Sequence, residues 1–86
     1  MEDFAEELVN FPKWHDKEFT KEQLKKHLLE CSELLDNEDE HFNAELIDLI
    51  QIAKVYFSQT MSSDELDNLY HKRWDKFMQK LALDKK

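Results

Sequence analysis

The sequence predicts an all-α protein, a small antiparallel bundle of three long helices plus a short N-terminal helix, and three observations carry that prediction. There is no glycine and one proline in 86 residues. Strand hairpins, phosphate loops and most tight active-site turns need a residue that tolerates positive φ, and this chain has almost nothing to build them from. Apolar residues recur at helical spacing, in stripes divided by short polar connectors. Finally, Thr20 with Gln23 and Ser62 with Glu65 have the S/T-x-x-E/Q spacing in which a helix start satisfies its own free N–H groups. The length allows one domain, 1–86, with a core near the lower limit for helix packing without disulfides or a structural metal.

The elements follow in order. Residues of about 2–10 read as a short helix with Phe4, Leu8 and Phe11 on one side, closed by Asn10 and Pro12. A polar connector containing Trp14 follows, and the second helix is expected over about 20–36, with Leu24, Leu28, Cys31 and Leu35 as a narrow apolar stripe. The acidic stretch from Asp36 to Glu40 is a turn, in which Asn37 is the residue suited to the left-handed conformation. The third helix, about 39–59, places Phe42, Leu46, Leu49, Ile50, Ala53 and Phe57 on one face and is expected at the centre. The fourth, about 63–83, begins at the Ser62 capping box, with Met61 placed to staple onto Leu66. Its stripe is Leu66, Tyr70, Trp74, Phe77 and Leu81, with Trp74 read as core. Short connectors imply antiparallel neighbours.

Charge is distributed unevenly. Residues 1–67 carry 18 acids and 6 bases, a balance of −12, whereas residues 68–86 carry 2 acids and 6 bases, a balance of +4. Acids in first turns and lysines near helix ends complement the helix dipole, which accounts for part of this. It does not account for Glu33 to Asp48, where Glu33, Asp36, Glu38, Asp39, Glu40, Glu45 and Asp48 stand without one Lys or Arg. Glu38, Glu45 and Asp48 fall within an arc of about 80°, and Ile52, Val55 and Gln59 continue that edge. On the fourth helix Lys72, Lys76 and Lys80 form a basic edge, with Arg73 beside it, expected to pair with the acidic first helix.

These features define a candidate interface of Glu33, Asp36, Glu38, Glu45, Asp48, Ile52, Val55 and Tyr56, in which charge steers a basic protein partner and apolar area holds it. The alternative for that strip is a solvated acidic end and an apolar end covered by the first helix or the Trp14 connector. Trp14 either caps the open end of the bundle or projects as an anchor. The function expected is that of a small acidic interaction module that binds and neutralises or regulates a basic protein, as immunity proteins, antitoxins and anti-factors do. Two alternatives stay open: a self-associating helical subunit, a possible homodimer in which the acidic and basic parts pair, and a DNA mimic.

Several chemistries are not expected. A formal charge of −8 disfavours direct binding to nucleic acid or to an anionic membrane surface. Cys31 is the only cysteine, so no intrachain disulfide forms, and no apolar run is long enough for a signal peptide or a membrane span. A cytoplasmic protein fits best. His27 with Cys31 and His71 with Asp75 are i, i+4 pairs that could face each other as zinc ligands. Cys31 instead reads as a small hydrophobe and His71 projects to the polar side, so neither a metal nor another cofactor is expected. With no glycine loop, no activated nucleophile and exposed carboxylates, the chain is not expected to be an enzyme.

Overall fold

The computed structural model describes residues 5–84, and the architecture is all-α: three long helices follow a short N-terminal one. In order these are α1 (Ala5–Leu8), a 3₁₀ turn (Pro12–His15), α2 (Lys17–Asp36), α3 (Phe42–Thr60) and α4 (Ser63–Asp84). The expected beginning of the first helix, with Phe4, lies outside the described residues. Among those described, no helix is long and apolar enough to cross a membrane.

Helix α2 starts three residues before the Thr20 capping box. Asp16 is its cap, with the side chain accepting from the Glu18 N–H at 3.0 Å. A carboxylate one turn ahead of a threonine offers the same capping chemistry earlier, and the helix takes it. Thr20 then lies inside the first turn, fully buried, and its hydroxyl donates back to the Asp16 carbonyl at 3.3 Å.

The turn after α2 is a Schellman closure. The Asp39 N–H donates to the Leu34 carbonyl at 2.9 Å, and the Glu38 N–H to the Leu35 carbonyl at 3.1 Å. This motif needs a left-handed residue just past the cap, and that residue is Glu38, at φ 51°; Asn37 is the cap itself, at φ −90°. The conformation falls one position later than expected because Asn37 serves as the cap, and in this closure the left-handed residue is the one that follows the cap. Asp39 then accepts from the His41 N–H at 2.9 Å and leads into α3.

At α4 the Ser62 box forms as expected. The Ser62 N–H donates to Glu65 Oε1 at 3.2 Å, and the Glu65 N–H to Ser62 Oγ at 3.1 Å. Met61 and Leu66, the staple positions, are both half-buried.

Packing is concentrated in α2 and α3. Their pairing is antiparallel, because His27 meets Glu45 while Trp14, ahead of α2, meets Gln59 near the end of α3. Helix α1 lies on α3, and the 3₁₀ turn lies against α2. Helix α4 packs on no other helix to a comparable extent, and the molecule is correspondingly open. Its radius of gyration is 15.5 Å, against about 12 Å for a compact chain of this length.

Candidate functional site

The candidate interface does not exist as a continuous outward strip. Ile52 is 4% exposed and Val55 1%, so the apolar half of the expected docking surface is the core of the protein. The reason lies in α3, which is apolar on two arcs rather than one. On an ideal helix Ile52 points within about 40° of Glu45, Asp48 and Gln59, the residues turned to α2, and Val55 lies about 60° further round toward α1. Covered by two helices, these branched side chains fill the interior. Meanwhile Ile50 and Phe57, expected at the core, stand 38% and 36% exposed, and Leu46, Leu49 and Ala53 are half-buried.

The acidic half is divided. Glu33, Asp36, Glu38 and Asp48 are exposed, and Tyr56 is half-buried. Glu45 is half-buried and its Oε2 sits 3.0 Å from His27 Nδ1 across the α2–α3 pair. His27, Glu45 and Asp48 hold their ligand atoms within 4.8 Å of one another, a donor set of one imidazole and two carboxylates. The sequence pairing of His27 with His71 and Asp75 does not arise, because α4 does not face α2. One turn along α2 from His27, Cys31 is buried. Burial pushes its thiol above the ordinary value, and the nearby carboxylates of Glu45, Glu30 and Asp48 push it further in the same direction. Such a thiol is a poor nucleophile. Beside it, Glu30, Glu33, Asn37, His41 and Glu45 line a shallow open depression at the turn end of the pair.

Trp14 is a cap and not a projecting anchor. It is half-buried, its ring meets Phe19 edge to face at 5.1 Å between centroids, and its carbonyl accepts from Gln59 Nε2 at 2.6 Å. The nearby His15 ring is held by the Val9 carbonyl.

Two apolar surfaces that the sequence assigned to the core face solvent instead. The first is α4. Leu69, Tyr70, Trp74, Phe77, Met78, Leu81 and Leu83 are between 40% and 68% exposed. Trp74, read as core, is 53% exposed. Arg73, Lys76 and Lys80 border the aromatic stripe and line one shallow surface with Tyr70, Trp74 and Phe77. The expected pairing of the basic edge with α1 is not seen: among the described residues no ion pair joins Lys72, Lys76 or Lys80 to an acid.

The second is one side of the α2–α3 pair. On α2, Leu28 and Leu35 lie about 60° and 40° from the buried Cys31 in one rotational sense. On α3, Leu49, Ala53 and Leu46 lie about 60°, 100° and 120° from Ile52 in the same sense. Equal senses on antiparallel helices fall on the same side of the pair. Val55 and Gln51 lie in the opposite sense, on the side that α1 covers. The uncovered side is therefore an apolar face, with Leu28 52% and Leu35 58% exposed on α2 and the half-buried Leu46, Leu49 and Ala53 on α3, whereas Phe57 lines a cleft with Val9, Val55 and Leu66 on the side of α1.

Comparison with protein-family models, with curated proteins and with solved structures returned no match.

Proposed function

We propose that the chain is a non-catalytic protein-interaction module whose contact surfaces are the α4 stripe and the open side of the α2–α3 pair. One observation carries this reading: α4 keeps seven large apolar side chains at 40% exposure or more, five of them on one face, in a helix that meets the rest of the chain chiefly around Leu66 at its start. Isolated exposed hydrophobes are ordinary, but Tyr70, Trp74, Phe77, Met78 and Leu81 lie within about 100° of one another on an ideal helix, an aromatic and aliphatic stripe of the kind interfaces are made from. The Arg73, Lys76 and Lys80 border matches it to a partner whose apolar groove has acidic surroundings. The absence of catalysis is supported by a buried, deactivated Cys31 and by depressions that are shallow and open.

A second reading, in which the exposed Glu33, Asp36, Glu38 and Asp48 steer the chain to a basic protein, is favoured by the net charge of −8. It has lost its apolar hold at Ile52 and Val55. Affinity on that surface would rest on screened charge alone, and salt of about 1 M would abolish it, because the Debye length is then about 3 Å.

The test is photo-crosslinking in the native host, with a benzophenone side chain at Phe77, in the stripe, or at Gln79, on the back of the same helix. A discrete protein adduct from position 77 and none from 79 is expected. No protein adduct from position 77 would refute the assignment of α4 as the contact element.

A further inference from the structure

We infer that the partner of α4 is the open groove of a second copy of this chain, so that two copies exchange their last helices. The inference rests on the reading of α4 as a contact element and names what it contacts.

The first argument is register. The α4 stripe runs Leu66, Tyr70, Trp74, Phe77, Leu81, with steps of four, four, three and four residues. Read backwards, the face of α3 beside the groove runs Phe57, Ala53, Leu49, Leu46, Phe42, with the same steps in the same order. Laid antiparallel, each stripe residue therefore meets one groove residue over about 22 Å of helix. The largest disparity is complementary, with Tyr70 over the small Ala53. Leu66 and Phe57, the pair nearest the connector, line one notch within the same chain at the α3–α4 corner, so the exchange concerns the four pairs beyond it.

The second argument is the connector. Only Met61 and Ser62 separate α3 from α4. Met61 is extended, at φ −141° and ψ 150°, and Ser62 is fixed by its capping box. This ordered corner carries α4 away from its own α3, leaving the stripe and the groove of one chain complementary but apart. A surface that fits a groove on an identical molecule can be satisfied reciprocally about a twofold axis, and a short hinge favours that exchange.

Area and charge agree with it. The chain exposes 7239 Å², whereas a compact monomer of 10.5 kDa exposes about 5,400 Å². The excess of about 1,800 Å² per chain is enough, over two copies, for the range of obligate dimers. Residues 68–86 carry +4 and residues 1–67 carry −12, so each exchanged helix joins a body of opposite sign. The antiparallel register brings Lys80 to the end of the groove that the acidic Asp36 to Glu40 turn closes.

Two measurements on the full chain test this. Light scattering coupled to size exclusion, at low micromolar concentration, should give twice 10.5 kDa, and Trp74→Glu should weaken the dimer by about 30-fold or more, as for an interface hot spot. In a Cys31→Ala background, Ala53→Cys with Tyr70→Cys should oxidise to a covalent dimer on a denaturing, non-reducing gel. A wild-type mass of one chain throughout the micromolar range would overturn the inference, whether or not the cysteine variant folds. So would an oxidised product that stays monomeric, which would assign the groove to the chain's own α4. If the benzophenone at position 77 meanwhile captures a different protein, the interaction module stands and the second copy does not. If it captures none, both fall.

Discussion

Glu38→Gly should make this protein more stable, although it removes a charged side chain from an exposed turn. Glu38 sits at φ 51°, where a Cβ crowds the following carbonyl, and a left-handed residue with a side chain costs about 1–2 kcal/mol. Glycine relieves that strain but loses about 0.5–1 kcal/mol through the greater freedom of the unfolded chain. A carboxylate at this end of α2 also faces the negative pole of the helix, and removing it returns about 0.3–1 kcal/mol. The balance is a gain of about 1 kcal/mol, or about 4–8 °C in the unfolding midpoint for a domain this small. Asn37→Gly, one residue earlier, has the opposite sign. Asn37 lies at φ −90°, so glycine relieves nothing there and costs about 0.5–1 kcal/mol. Urea and thermal denaturation followed by circular dichroism, at one fixed protein concentration, read both variants. A gain at Asn37 with none at Glu38 would show that the left-handed residue has been misplaced and that the Schellman closure is not as described.

Two further outcomes follow from the core. Val55→Ala removes two methyl groups from a side chain 1% exposed and should cost about 2–3 kcal/mol, transfer and cavity together, in urea denaturation; a cost below about 0.5 kcal/mol would return Val55 to the surface. Cys31 should make stability fall in alkali. Below its ordinary value of 9.0 the thiol is neutral in both states, but above it the unfolded chain releases a proton that the folded chain retains, because burial and then Glu45, Glu30 and Asp48 raise the folded value. Stability is thus lost from pH 9.0 up to that raised value, and Cys31→Ala should flatten the wild-type decline there; identical pH profiles for the two proteins would refute the assignment.

What the sequence could and could not convey follows from the kind of signal each feature leaves. The Ser62 box was legible because its two hydrogen bonds are local and no competing cap precedes it. The Thr20 box has the same letters, yet Asp16 lies one turn earlier with a side chain that caps as well, and local chemistry cannot rank the two. On α3 the difficulty is different. Apolar residues occupy both the arc of Ile52 and Val55 and the arc of Leu46, Ala53 and Phe57, so periodicity establishes that the helix is central without saying which arc meets α2. The charged residues misled there, since Glu45 and Asp48 border the inward arc and marked it as solvent-facing. Glu45 tolerates that position because His27 meets it at 3.0 Å across the pair.

Helix α4 marks the deeper limit of such a reading, and it does so for a thermodynamic reason. Its stripe is as regular as any in the chain, and regularity predicts that a surface will be covered, not which molecule covers it. A solitary helix is marginal in water because nucleation is costly and each added hydrogen bond returns little. The local devices on α4, a capping box and the exposed Asp67–His71 pair at 3.6 Å, are individually small. The free energy that makes such a helix worth retaining must therefore come from burial of the stripe. In one chain the Met61–Ser62 corner holds that stripe away from the groove whose residue spacing mirrors it. On the inference of exchanged helices a second molecule covers both surfaces, and the matching spacing, the opposite charge and an equal deficit of buried area are what name it as another copy of the same sequence.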